Sequence, residues 1–105
     1  MSLLQLETFV AVAEERNVGR AARRLHLTQS PVSRQLSALE EELGTRLFER
    51  TSRGMRLLPA GHTLLPRARE ILAAVEAARQ AVVPGIRTGD PVRAASTLAV
   101  SHPRR

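Results

Sequence analysis

Apolar positions near the start of the chain recur at helical spacing. Leu6, Phe9, Val10 and Ala13 stand at i, i+3, i+4 and i+7, which is one face of a helix. Ser2 followed by Gln5 fits a capping box, so a first helix is expected over about residues 3–15. Asn17 and Gly19 interrupt it. A short second helix is expected over about residues 19–25, with Ala21, Ala22 and Leu25 turned inward. His26-Leu27-Thr28 reads as a tight turn. Thr28 or Ser30 can cap a third helix, and Pro31 is tolerated in its first turn. Val32, Leu36, Leu39 and Leu43 then recur at i, i+4, i+7 and i+11, the cleanest apolar stripe in the chain. Gly44 follows as a stop. The opposite face carries Ser30, Arg34 and Ser37, with Ser33 on its flank, and Glu40, Glu41 and Glu42 fill the far end.

The period changes at Leu47. Residues 47–50 and 55–58 read as two short strands joined by Thr51-Ser52-Arg53-Gly54, where Gly54 is free to take a positive φ. Pro59 opens a fourth, longer helix. In it Leu64, Ala68, Ile71, Val75, Ala78 and Val82 are spaced four, three, four, three and four apart, an a/d heptad seam. Leu65 and Leu72 widen that seam. Such a helix is longer than so small a domain can cover, so the seam predicts a partner helix, with ordinary core within a larger protein as the plainer alternative. Residues 84–105 contain Pro84, Gly85, Gly89, Pro91 and Pro103 and follow no clear period, although Leu98-Ala99-Val100 suits a short strand. They read as a tail or as the start of a further domain.

Charge narrows the function classes. The 105 residues carry a formal net charge of +6, and all 16 basic residues are arginine. Arginine presents a planar fork of donors that fits phosphate and guanine edges, so a small basic domain points first to nucleic acid or an anionic surface. The chain has no Cys, which excludes a disulfide framework, a cysteine zinc site and a Cys nucleophile. It has no Trp or Tyr and only Phe9 and Phe48, too few aromatics to stack the bases of a single strand. No apolar run is long enough to cross a membrane, and the N-terminus lacks a basic signal-peptide region, so a cytoplasmic location is expected. His26, His62 and His102 lie far apart without supporting acidic ligands, so no metal or other cofactor is expected. No nucleophile, base and orienting acid converge, so no catalytic residue is assigned and the chain is not read as an enzyme.

Two short helices joined by a three-residue turn, the second polar on its outer face, form a helix-turn-helix. In that motif the second helix enters the major groove N-terminus first. The polar N-terminal half with Arg34 suits DNA, whereas the three glutamates at the far end would repel phosphate. The order Leu6-x-x-Phe9, then Ala21-Ala22-x-x-Leu25 through Leu36, Leu39-Glu40, Leu43-Gly44, Leu47-Phe48-x-Arg50 and Leu57-Leu58-Pro59-Ala60-Gly61 resembles the DNA-binding region of LysR-type transcriptional regulators. The resemblance runs over about residues 3–83. It implies a mainly α fold: a winged helix-turn-helix of three helices and a short two-stranded wing, followed by a long linker helix that pairs with that of a second subunit. Residues 1–58 would form the DNA-binding domain, 59–83 the linker helix, and 84–105 a flexible tail or a truncated start of an effector domain.

Carried over position by position, the resemblance places recognition-helix contacts on Gln29, Ser30, Pro31, Ser33 and Arg34. It places a minor-groove contact on Arg53 at the wing and a phosphate partner at Arg50. The dimer seam would be Leu64, Ala68, Ile71, Leu72, Val75, Ala78 and Val82. The implied partners are double-stranded DNA and a second copy of the chain, with a small-molecule inducer only if a longer form carries an effector domain. Leu58 stands where the family usually has a capping Thr, and Gly19 where a Ser or Thr often begins the second helix. An excised fragment, a truncated reading frame and a natural DNA-binding-only form all fit the length. Each site residue also has a plainer reading. Gln29 or Arg34 can be a solvated helix-start residue, Ser30 and Ser33 can cap the helix, and Arg53 can be a soluble turn. Arg16, Arg20, Arg23 and Arg24 divide between backbone phosphate and pairing with Glu14 or Glu15. The rival function is a helical interaction module whose basic face and heptad seam recruit a protein.

Overall fold

The computed structural model describes residues 1–83. The 84–105 tail, its strand expected at 98–100 and His102 lie outside the described residues. Two compact units divide the chain, Met1–Leu72 and Ala73–Arg105, and each is taken by itself.

In the first unit, helix α1 spans Leu3–Glu15, α2 spans Val18–Arg24 and α3 spans Gln29–Leu43. Strands β1 (Phe48–Thr51) and β2 (Gly54–Leu57) follow, and then helix α4 begins at Pro59 and runs to Val82. The Ser2–Gln5 capping box is present in both directions, which fixes where α1 starts. Asn17, read from sequence only as an interruption, is the N-cap of α2: its Oδ1 accepts from the Arg20 amide at 2.8 Å. This cap starts α2 at Val18, one residue earlier than the apolar pattern suggested. Thr28 occupies the N-cap position of α3 without a side-chain cap bond. The turn between α2 and α3 passes through His26 at φ 59°, with the Leu27 amide bonded to the Ala22 carbonyl at 2.8 Å. Helix α3 stops at Gly44, whose φ is 70°.

The apolar stripes meet in one core. Leu6, Phe9, Val10 and Val12 from α1, Ala21 and Ala22 from α2, Val32, Leu36 and Leu39 from α3, and Leu47 and Phe48 at the wing base are buried together. The Phe9 and Phe48 rings stand 5.4 Å apart and tilted, so both aromatics serve packing and neither faces solvent. Burial of these side chains dominates the stability of the unit.

The strands pair antiparallel, with Phe48 opposite Leu57 and Thr51 opposite Gly54. They sit about one residue from the expected 47–50 and 55–58, because the turn is tighter than the composition suggested. The Thr51 hydroxyl donates to the Gly54 carbonyl and accepts from the Arg53 amide, both at 3.1 Å. That leaves only Ser52 and Arg53 outside the ladder. Helix α4 carries Pro66 in its interior, where the missing amide leaves the His62 carbonyl without its helical donor.

One expectation for α4 needs correcting. Ala68 is 0% exposed and part of the core of the first unit, and Leu64, Leu65 and Leu72 pack against that core. Ala68 therefore cannot belong to a seam that meets a partner. The reason is that a heptad stripe has the same spacing whether it packs on its own domain or on another helix. Ile71, at 41% exposure, is not covered in this way. In the second unit, Val75 is half-buried, Ala78 is exposed and Val82 is 77% exposed.

Candidate nucleic-acid interface

The local rules that built α3 also bare its start. Three apolar residues, Val32, Leu36 and Leu39, are spent on the core, so the other faces of the first two turns point outward. Gln29, Ser30, Ser33, Arg34 and Ser37 are exposed, and Pro31 is half-buried. Among the described residues no ion pair engages Arg34, and neither Ser30 nor Ser33 caps the helix. The positive end of the helix dipole lies at this same end. Gln29 sits at the junction with α2: a Cβ added to Gly19 would lie 3.2 Å from the Gln29 side-chain nitrogen.

The wing stands beside α3 and is held at both ends of its hairpin. Glu40 of α3 reaches the wing base, where its Oε2 accepts from the Leu47 amide at 2.8 Å and the Phe48 amide at 3.3 Å. At the other end the Met55 amide donates to the Arg16 carbonyl at 3.0 Å. Gly54 allows that approach. Its φ is 122°, and a Cβ there would lie 2.3 Å from the Arg16 carbonyl oxygen. A cleft of about 140 Å³ separates α3 from the wing, and Ser33, Ser37 and Arg50 share its walls. Arg53 occupies the exposed tip of the hairpin. Of the seven predicted interface residues, Ser33 and Arg50 are thus brought to one cleft. Gln29, Ser30, Pro31 and Arg34 lie on the first turns of α3, and Arg53 projects separately from the wing.

The arginines fall into two sets. Arg24 pairs with Glu14 at 2.8 Å and Glu15 at 3.3 Å, Arg69 with Glu14 at 2.9 Å and Arg20 with Glu15 at 3.8 Å. Arg56 pairs with Glu49 across the wing, and Arg67 with Glu70. The hydrogen-bonding Arg24 guanidinium, and after it that of Arg69, holds the Glu14 carboxyl below its ordinary value. Arg16, Arg23, Arg34, Arg50 and Arg53 have no ion-pair partner among the described residues. The sequence divides the arginines at positions 16, 20, 23 and 24 between phosphate and Glu14 or Glu15 without saying which are which. The acidic pair Glu14–Glu15 claims only two of them.

Residues 3–62 match the family described as "Bacterial regulatory helix-turn-helix protein, lysR family". The chain belongs to the LysR family. Among its relatives is the HTH-type transcriptional regulator ClcR of Pseudomonas putida, 54% identical over 79 residues, which are 75% of this chain and 27% of ClcR. TfdS of Cupriavidus pinatubonensis is 58% identical over 72 residues, 69% of this chain and 24% of that protein. The chain thus spans about a quarter of the length of these two LysR regulators. A third relative, an uncharacterised HTH-type regulator from the ibpB-leuC intergenic region of Azotobacter vinelandii, is 47% identical over 97% of this chain and 69% of its own. Among solved structures, the DNA complex of the CbnR DNA-binding domain superposes with a TM-score of 0.70 at 44% identity, covering 92% of this chain and 100% of that one. Full-length CbnR with its target DNA gives 0.70 at 46% identity, over 79% of this chain and 30% of that one. The expected winged helix-turn-helix, with its two-stranded antiparallel wing, is therefore the fold, as in the DNA-binding domain of CbnR.

Among the described residues no helix is long and apolar enough to cross a membrane. Neither does any group of three or more His, Asp or Glu among them converge to hold a metal ion.

Proposed function

We propose that this chain is the DNA-reading part of a LysR-type transcriptional regulator. The observation that carries the reading is the exposed, unpaired start of α3, with Gln29, Ser30, Ser33 and Arg34, beside a wing tipped by Arg53. Gln29 suits a bidentate pair with adenine, and Arg34 suits guanine O6 and N7. Ser30, Pro31 and Ser33 lie against the groove wall. Arg50 contacts phosphate, and Arg53 enters the minor groove, where a narrow A·T tract attracts a cation. The similarity to the DNA-bound CbnR domain supports this assignment of surfaces.

The regulator works by binding and not by catalysis, in the cytoplasm where the chromosome lies. It binds as a homodimer through the outward part of α4, with Ile71, Val75, Ala78 and Val82 facing the partner. Leu64 and Leu72 chiefly support their own domain. A small-molecule inducer belongs only to a longer form with an effector domain. Two recognition helices on one face of the duplex then read half-sites about one helical turn apart, or a multiple of it.

Arg34→Ala tests the reading directly. It should weaken the selected site by about 1–3 kcal/mol and random duplex much less. An equal loss on both would reduce Arg34 to a phosphate contact. A protein partner that specific duplex fails to displace would favour the interaction-module reading instead.

A further inference from the structure

Arg16 ends α1 in the left-handed region, at φ 57° and ψ 23°. That conformation disfavours any residue with a Cβ and is the usual place of glycine. The fold imposes it from both sides. The Arg16 amide donates to the Val12 carbonyl at 2.8 Å, and the Arg16 carbonyl accepts from Met55 while Gly54 presses against it. The backbone would be served better by glycine, so nothing in the packing accounts for an arginine here. Backbone strain of this kind points to a side chain that is retained for what it binds.

The side chain has no partner within the described residues, although Glu14 and Glu15 precede it in sequence. Arg24, Arg69 and Arg20 hold those two carboxylates. Arg16 instead lines an open groove of about 770 Å³ on the α1 side of the wing. Arg53 lines the same groove and is also unpaired, whereas Arg56 is neutralised by Glu49 and Arg69 by Glu14. Two free guanidinium groups therefore share one groove that opens at the wing.

We propose that Arg16 is a DNA-backbone contact beside the wing, holding the phosphodiester strand that borders the minor groove while Arg53, from the same groove, enters it. This rests on the DNA-binding reading above and extends it to a surface outside the recognition helix. The groove recognises phosphate by charge and fork geometry, not base sequence.

Arg16→Gly separates the two roles of this position, because it removes the guanidinium and relieves the backbone. Measured on the full chain by fluorescence anisotropy with labelled duplex across a salt series, it should lower affinity several-fold. The loss should be equal on random and selected sequences, with the log–log salt slope reduced by about one unit. The melting temperature should stay the same or rise. Arg16→Lys should keep the slope. Arg67→Ala, which removes one exposed positive charge elsewhere, should leave it nearly unchanged. An unchanged slope in Arg16→Gly overturns the proposal, as does an equal drop in Arg67→Ala or a lowered melting temperature. A wild-type chain that binds no duplex at low salt defeats the DNA reading and this proposal together. Wild-type binding that Arg16→Gly leaves intact defeats this proposal alone.

Discussion

Glu40 is the side chain through which the recognition helix holds the wing, and removing it should be costly. Its carboxylate receives two backbone amides, from Leu47 and Phe48, at 2.8 and 3.3 Å. Both residues are only 1% exposed, so their amides have no water to turn to once the carboxylate is gone. A hydrogen bond to a charged group contributes about 1.5–3 kcal/mol, and a buried donor left unpaired costs about 1–3 kcal/mol. The two bonds share one oxygen and the second is long, so they do not add in full. Glu40→Ala should therefore destabilise the fold by about 2–3 kcal/mol. In a domain of this size each kcal/mol moves the melting temperature by about 4–8 °C, so a fall of about 10–20 °C is expected in calorimetry. Glu40→Gln keeps an acceptor oxygen without its charge and should lose about half as much. Below the melting transition, Glu40→Ala should also weaken duplex binding, since the wing is no longer fixed against α3. A Glu40→Ala chain within about 0.5 kcal/mol of wild type, the range of ordinary surface changes, would refute this reasoning.

Other expectations follow from single features. Ile71 is 41% exposed, so Ile71→Asp should leave the monomer folded by circular dichroism while sedimentation shows the dimer lost, because a lone charge in a helix seam is not buried; a wild type that is monomeric both free and on its site would remove the dimer. Thr8 is 0% exposed and its hydroxyl has no hydrogen-bond partner among the described residues, so Thr8→Val should raise stability by about 1–2 kcal/mol in urea titrations, and a loss would show that the hydroxyl is satisfied. The Glu14 carboxyl is held low by Arg24 and Arg69, so its contribution is present above its ordinary value and is lost as pH falls through the lowered one. Glu14→Gln should flatten that acid limb of stability, by an amount that shrinks with added salt; an acid limb identical to wild type at low salt would show that the network contributes nothing.

Local chemistry was legible in the sequence where it acts alone. The capping box at Ser2 and the stop at Gly44 each depend on a few neighbouring residues, and the structure has both; of the stripe from Val32 to Leu43, the first three residues are buried and Leu43, at the helix end, is exposed. The exposed start of α3 followed from that stripe by subtraction. Features that depend on distant partners were not legible. The three glutamates at 40–42 read only as an end of the helix that repels phosphate, yet Glu40 reaches the wing while Glu42 pairs with the Met1 amino group. Ala68 and Ile71 share a heptad pattern, but only the tertiary fold turns Ala68 into the core. Arg16 gave no sign in the sequence of its left-handed backbone, because the contact with Gly54 and Met55 spans nearly forty positions. Its signal was negative: more arginines near Glu14 and Glu15 than those two acids can pair.

The central claim is that the start of α3 reads duplex sequence, and selection from a random duplex pool tests it most directly. The chain should enrich a recurring motif with two-fold symmetric half-sites, and Arg34→Ala should blur one position in each half. Enrichment of no motif, with equal binding to every duplex at moderate salt, would contradict it.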